Sequence, residues 1–184
     1  MKTKFKFASL GLAVALSLSA LPSIAQVMVG GASMLPSRDI IDNTVDSKDH
    51  TTLVAAVKAA GLVETLKGAG PFTVFAPTNA AFAALPAGTV ETLLKPENKA
   101  TLSGILTYHV VAGKMDAAAI TKAIADGKGT ATLKTVAGGT LTAKAMGGKV
   151  MVMDEKGGSA TVTIADVIQS NGVIHVVDKV LLPK

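Results

Sequence analysis

Apolar residues recur at helical spacing early in the chain and at strand spacing late. Leu53, Val54, Ala56, Val57, Ala60 and Val63 follow the three-and-four step of a helix; Leu66 extends the stripe and Gly61 is placed to break it. Asp49 or Thr51 is positioned to cap its start, and Asp39-Ile40-Ile41-Asp42-Asn43 reads as a brief helical turn ahead of it. Gly70-Pro71 marks a turn and Phe72-Thr73-Val74-Phe75 a short strand bounded by Pro77. Thr78 and Asn79 can cap a helix running through Phe82 and Leu85. Further helices are predicted over 90–94 and from Pro96 through Leu102, Ile105 and Leu106, proline being suited to a first helical turn. Tyr108-His109-Val110-Val111 reads as a strand, and Asp116 as the cap of a helix through Ile120 and Ile124.

From Thr130 the period falls to two. Ala131 and Leu133, then Leu141, Ala143 and Ala145, then Val162 and Ile164 alternate with Thr or Lys. The pairs Gly138-Gly139, Gly147-Gly148 and Gly157-Gly158 separate these runs and supply the backbone freedom of tight hairpins. Residues 130–165 therefore predict an antiparallel meander of four short strands, with 149–153 as the third. Two last strands, 173–177 and 180–182, read as a hairpin too continuously apolar to have a wet face, hence central. Helices first and strands last define an α+β fold class.

Composition narrows the function. The chain has 184 residues, 49% hydrophobic and 17% charged, a length suited to one domain and a balance too apolar for disorder. With no Cys, disulfides, thiolate chemistry and Cys-ligated metals are excluded. The formal charge of +5 is partly an address label. Lys2, Lys4 and Lys6 precede an apolar run from Phe7 to Leu18, and Ser23-Ile24-Ala25 offers the small residues a signal peptidase reads. Residues 1–25 are read as a signal peptide cleaved before Gln26, which places the protein in the periplasm or outside the cell. Its removal takes away three lysines and no acid, so the charge falls from +5 to +2 and nucleic acid loses its support as a partner. No transmembrane anchor is expected after processing. Residues 26–37, with Gly30-Gly31 and Pro36, read as a loosely packed lead-in, and the domain as 38–184.

Chemistry-bearing motifs are sparse. His50, His109 and His175 stand outside the spacings of metal sites, and no Gly-x-Ser-x-Gly or phosphate-binding glycine loop occurs. His109 reads as a buried hydrogen-bonding group that pins a loop, and His175 as a satisfied group at a sheet edge. Met146, Met151 and Met153 read as core filling. After processing, Phe72, Phe75, Phe82 and Tyr108 are the aromatic residues left, too few for a stacking platform. A carbohydrate partner would have to be held by polar contacts. No enzymatic activity and no cofactor is expected.

Three stretches carry a resemblance. Gly70-Pro71-Phe72-Thr73-Val74-Phe75-Ala76-Pro77-Thr78-Asn79 with Ala80-Ala81-Phe82 resembles the first signature block of fasciclin (FAS1) domains. Tyr108-His109 resembles the family's central pair, and residues 171–183, Asn-Gly-Val-Ile-His-Val-Val-Asp-Lys-Val-Leu-Leu-Pro, its second block. Their order and spacing agree, as in bacterial secreted single-domain members. The resemblance implies a wedge-shaped antiparallel β-sandwich with helices around it, and a role in adhesion or matrix contacts. In the blocks themselves Phe72, Val74 and Phe82 are expected in the core. Asp166-Val167-Ile168 occupies the region where animal relatives carry an integrin-binding motif, but its surroundings differ. Candidate interaction residues are thus Tyr108, His109, Asp166, Val167 and Ile168. The expected partner is a protein or a cell-surface or matrix component, with the chain a monomer or weak oligomer. The alternative is a binder of an apolar small molecule such as a carotenoid or lipid, suggested by the aliphatic and Met content.

Overall fold

A computed structural model describes residues 26–184; the signal peptide read over 1–25 lies outside the described residues. The chain opens with a hairpin, β1 (Val27–Val29) and β2 (Ala32–Met34), followed by helices α1 (Ile40–Asp46), α2 (Thr51–Ala60) and α3 (Val63–Lys67). Strand β3 (Phe72–Pro77) leads to α4 (Asn79–Ala83), α5 (Thr89–Leu93) and α6 (Lys99–Tyr108). Then come β4 (Val110–Ala112), α7 (Ala117–Asp126), and β5 (Ala131–Lys134), β6 (Thr140–Met146), β7 (Lys149–Met153), β8 (Ser159–Gln169) and β9 (Gly172–Val177).

The helix starts follow their predicted caps in part. Asp39, Thr78 and Asp116 each accept a hydrogen bond from the backbone N–H three residues on. Helix α2 is capped from outside: neither Asp49 nor Thr51 does it, and the Asn79 side-chain oxygen accepts from the Thr52 N–H at 3.0 Å. Gly61 ends α2 in the left-handed conformation, where φ is 73°.

The seven strands after the hairpin form one sheet in the order β4-β3-β9-β8-β7-β6-β5. All neighbours are antiparallel except β3 and β9, which run parallel in register from Phe72↔Gly172 to Pro77↔Val177. A bridge between Val111 and Thr135, and a bond from the Val136 N–H to the Val110 carbonyl at 2.7 Å, bring the two ends together into a near-barrel.

Two cores result, one on each side of β3 and β9. Val74, Ala76, Ile174 and Val176 pack against α1, α2, α6 and the β1–β2 hairpin. Phe75, Val177, Tyr108 and the inward residues of β5–β8 pack around Ile120 and Ile124 of α7. A strand covered on both faces cannot alternate, which is why β9 reads as an unbroken apolar run. The central position predicted for it holds, but its neighbours are β3 and β8.

Several expectations need correction. Residues 26–37 are not loosely packed: Val29 and Met34 are buried in the first core, and the Lys48 N–H bonds the Gly30 carbonyl. Tyr108 and His109 end helix α6 rather than begin a strand, since the His109 N–H bonds the Leu106 carbonyl. Residues 180–182 form no strand; Leu181 is an apolar plug in the second core. Phe72 is only half-buried, and Phe75 is the fully buried ring of the first block. Met146 is 59% exposed and Met151 and Met153 are partly exposed, because they fall on the outward side of the β6–β7 pleat.

Candidate functional site

The two signature blocks lie side by side as β3 and β9, and the tyrosine–histidine pair sits just before β4 on the far side of β3. The contact is too close for side chains at two points. A Cβ on Gly70 would fall 2.2 Å from the Asn171 carbonyl oxygen, and one on Gly172 would fall 2.1 Å from that of Phe72. Asn171 completes the joint: its amide group donates to the Leu66 and Gly68 carbonyls, and its oxygen accepts from the Ile40 N–H at 3.1 Å. Asn43 and Gln169 add a second buried amide pair between α1 and β8.

Tyr108 and His109 are 0% and 2% exposed. The Tyr108 hydroxyl donates to the Thr140 carbonyl at 2.7 Å and accepts from the Glu155 N–H at 3.1 Å, tying the start of β6 to the β7–β8 turn. Burial raises its pKa. His109 Nδ1 donates to the Ile105 carbonyl at 2.9 Å, and Nε2 accepts from the Leu181 N–H at 2.9 Å. A carbonyl can only accept and an amide N–H only donate, so the ring is the neutral Nδ1–H tautomer. Burial lowers its pKa to about 4, in keeping with that state. The sequence expectation of a buried hydrogen-bonding histidine matches this geometry.

His175 is in the middle of the sheet rather than at an edge, stacked on Phe75 with ring centroids 5.6 Å apart. Nε2 donates to the Met115 carbonyl at 2.8 Å, while Nδ1 faces the Asp166 N–H at 3.4 Å. Burial again lowers the pKa. Thr73 works beside it, donating to the Gly113 carbonyl and accepting from the Met115 N–H. Together these side chains hold the 113–117 loop against the sheet.

Asp166 stands at the irregularity of β8, where the pairing with β9 shifts between Ile164 and Val167 and φ is 57°. One of its carboxylate oxygens accepts from the Ala117 N–H at 2.6 Å, at the start of α7. Val167 is buried in the first core, and Ile168 is half-buried opposite Val173. Of the five candidate interaction residues, the structure leaves Asp166 and Ile168 partly accessible and buries the other three. His50 was not among them, yet its Nε2 is a buried atom without a hydrogen-bond partner; Nδ1 bonds the Ser47 hydroxyl at 2.9 Å. It lines a cavity of about 10 Å³ with Val29, Met34, Ala76 and Ile174, room for the centre of a single water. A neighbouring apolar cavity under α1 and α2 holds about 30 Å³. Neither has space for an extended apolar molecule with the side chains as they stand.

The sequence matches a known family. The Fasciclin domain family matches residues 48–183, and the chain belongs to it. Protein sll1483 of Synechocystis sp. is 52% identical over 156 residues, which cover 85% of this chain and 79% of that protein. Immunogenic protein MPB70 of Mycobacterium bovis is 38% identical over 143 residues, 75% of this chain and 65% of that protein. The fold is shared with a FAS1 domain pair from the insect cell adhesion molecule Fasciclin I, at a TM-score of 0.69 and 18% identity, over 79% of this chain and 51% of that one. No helix among the described residues is long and apolar enough to cross a membrane.

Proposed function

We propose that this protein is an exported, non-enzymatic FAS1 module that mediates contact between the cell and a surface or matrix component. Membership of the fasciclin family supports the reading, as does the shared fold with a domain pair from a cell adhesion molecule. One observation carries it further. The signature side chains Tyr108, His109, His175 and Asn171 are engaged in bonds within the fold, so recognition falls to the outer surface. Asp166 and Ile168 belong to that surface, with one Asp166 oxygen already capping α7. Export rests on the signal peptide read over 1–25.

Deleting the gene and measuring attachment and aggregation tests the reading. The expected result is a loss of attachment that the intact gene restores. Unchanged attachment on every surface tried, in cells whose parent strain carries the protein beyond the inner membrane, would rule the role out.

A further inference from the structure

The meander has a face that neither core uses. The buried side chains of β5–β7, such as Leu133, Leu141, Ala143 and Val152, point inward, so the alternate positions point out. The strand register sets these outward positions in rows. Thr132, Thr142, Met153 and Ser159 lie in one line across β5, β6, β7 and β8. Lys144, Met151 and Thr161 form the next, Lys134 faces Thr140 at one end, and Lys149 faces Met146 at the other.

Charge along β5, β6 and β7 has one sign. Lys134, Lys144 and Lys149 are the charged residues of β5, β6 and β7, which contain no Asp or Glu. None of the three is within ion-pair distance of a carboxylate among the described residues. The acids at the margins are engaged with the fold: Glu155 accepts from the Thr140 N–H and hydroxyl, and Asp178 from the Thr161 N–H.

We infer that this face binds a carboxylated polysaccharide, its uronate groups pairing with the three lysines and its hydroxyls with the threonines between them. The inference rests on the adhesion reading and names the partner's chemistry. Charge density selects the class. The three lysines stand at register positions spread over six residue steps of β6, about 20 Å at strand spacing, with threonines on the same face between them. Duplex nucleic acid carries a charge about every 1.7 Å and draws on much denser basic patches. A uronate chain carries one carboxylate per sugar ring, wider spaced than the charges of duplex DNA and with hydroxyls in between. Met151 and Met153 supply the apolar contact for the C–H faces of sugar rings, which aromatic side chains provide elsewhere.

The test uses the full chain purified from its own host, with immobilised polygalacturonate as the probe. Binding should saturate at low salt and vanish at about 0.5 M salt, where exposed charges are screened. A Lys134→Gln/Lys144→Gln/Lys149→Gln variant should bind about tenfold more weakly, with an unchanged urea midpoint. A Lys58→Gln/Lys95→Gln/Lys99→Gln control, on the helical side, should stay within about twofold of the parent. No binding, equal loss in both variants, or equally strong binding to duplex DNA would each overturn the inference. Cells separate the two readings. If the triple variant restores attachment to the deletion strain as well as the intact gene does, the lysine face is wrong and adhesion stands. If deletion leaves attachment unchanged while polygalacturonate binding still needs the three lysines, adhesion falls and the face stands.

Discussion

Strands β9 and β7 are both rich in valine, yet they live in different solvents. In β9, Gly-Val-Ile-His-Val-Val, every residue is buried, because helices cover one side and the meander closes over the other. In β7, Lys-Val-Met-Val-Met, Val152 reaches the core while Lys149, Met151 and Met153 face out. The difference comes from how many faces the neighbours cover, and the two kinds of strand fail differently when altered. Packing decides the first and surface chemistry the second.

The largest effect belongs to the doubly covered pair. Phe75 is fully buried on β3 and stacks on His175 of β9. Phe75→Ala should lower unfolding stability by about 3–5 kcal/mol in urea titrations, from lost burial and the cavity left behind. A loss under about 1 kcal/mol would mean that the two cores are not joined through this strand.

How much of this was legible depended on the same division. β5–β7 and the first half of β8 alternate cleanly and can be read from period alone, with the glycine pairs marking the turns; β8 runs on past residue 165 to Gln169, because the irregularity between Ile164 and Val167 breaks the period there. Which side faces water is harder to read: methionine suits either side, so the pattern alone does not show that Met146, Met151 and Met153 lie on the outer face. The unbroken run of β9 announced burial but not its partner. The parallel pairing with β3 spans a hundred residues, and local pattern carries no signal at that range. His175 reads as an edge group because nothing local signals that the Met115 carbonyl, sixty residues earlier, accepts a hydrogen bond from its Nε2–H. Val29 and Met34 carry no burial signal in the sequence, because a three-residue strand shows too little periodicity to be recognised. Tyr108 and His109 read as strand because they lead directly into Val110-Val111 with no Gly or Pro to mark the end of α6. Asp166 and Ile168 stood out through the family resemblance, and geometry alone showed that an Asp166 oxygen was engaged.

The next effect comes from acid. His109 holds its proton uptake down to about pH 4, whereas in the unfolded chain an imidazole protonates near 6.5. Between these values the unfolded state binds more protons, so its stabilising contribution is complete above about pH 6.5 and falls as pH drops toward 4. The difference amounts to about 3 kcal/mol, and His50 and His175, also lowered by burial, act in the same direction. Urea midpoints taken from pH 7 to pH 4.5 should decline steadily. In His109→Gln the starting stability should be lower and the decline shallower; an identical slope would remove His109 from the acid response.

A smaller effect separates two glycines of the meander. A Cβ on Gly139 would sit 2.7 Å from the Tyr108 ring, which its bonds to Thr140 and Glu155 keep from withdrawing. Gly139→Ala should therefore cost about 1–3 kcal/mol through overpacking. Gly148 has open space around it and a φ of 78°, so Gly148→Ala should cost about 1 kcal/mol from backbone conformation alone. Adding Tyr108→Leu should reduce the penalty at Gly139 and leave that at Gly148 unchanged. Equal penalties in the parent would show that the tyrosine is not held in place.

The smallest effect is the sharpest test of the comparison, because one pair of near-isosteric side chains can be exchanged in both regions. Thr142 lies on the outward face of β6, half-buried between Thr132 and Met153. Replacing it by valine removes a hydroxyl in contact with water and keeps the branched shape that strands favour, so Thr142→Val should change stability by no more than about 0.5 kcal/mol. Val177 is fully buried on β9 among Phe75, Tyr108 and Leu181. Val177→Thr places a hydroxyl in an apolar setting and should cost about 1–3 kcal/mol. Urea denaturation of both variants against the parent measures the contrast directly. If Thr142→Val proves as damaging as Val177→Thr, the outer face of the meander is packed against something, and a partner or second copy would have to cover it in solution.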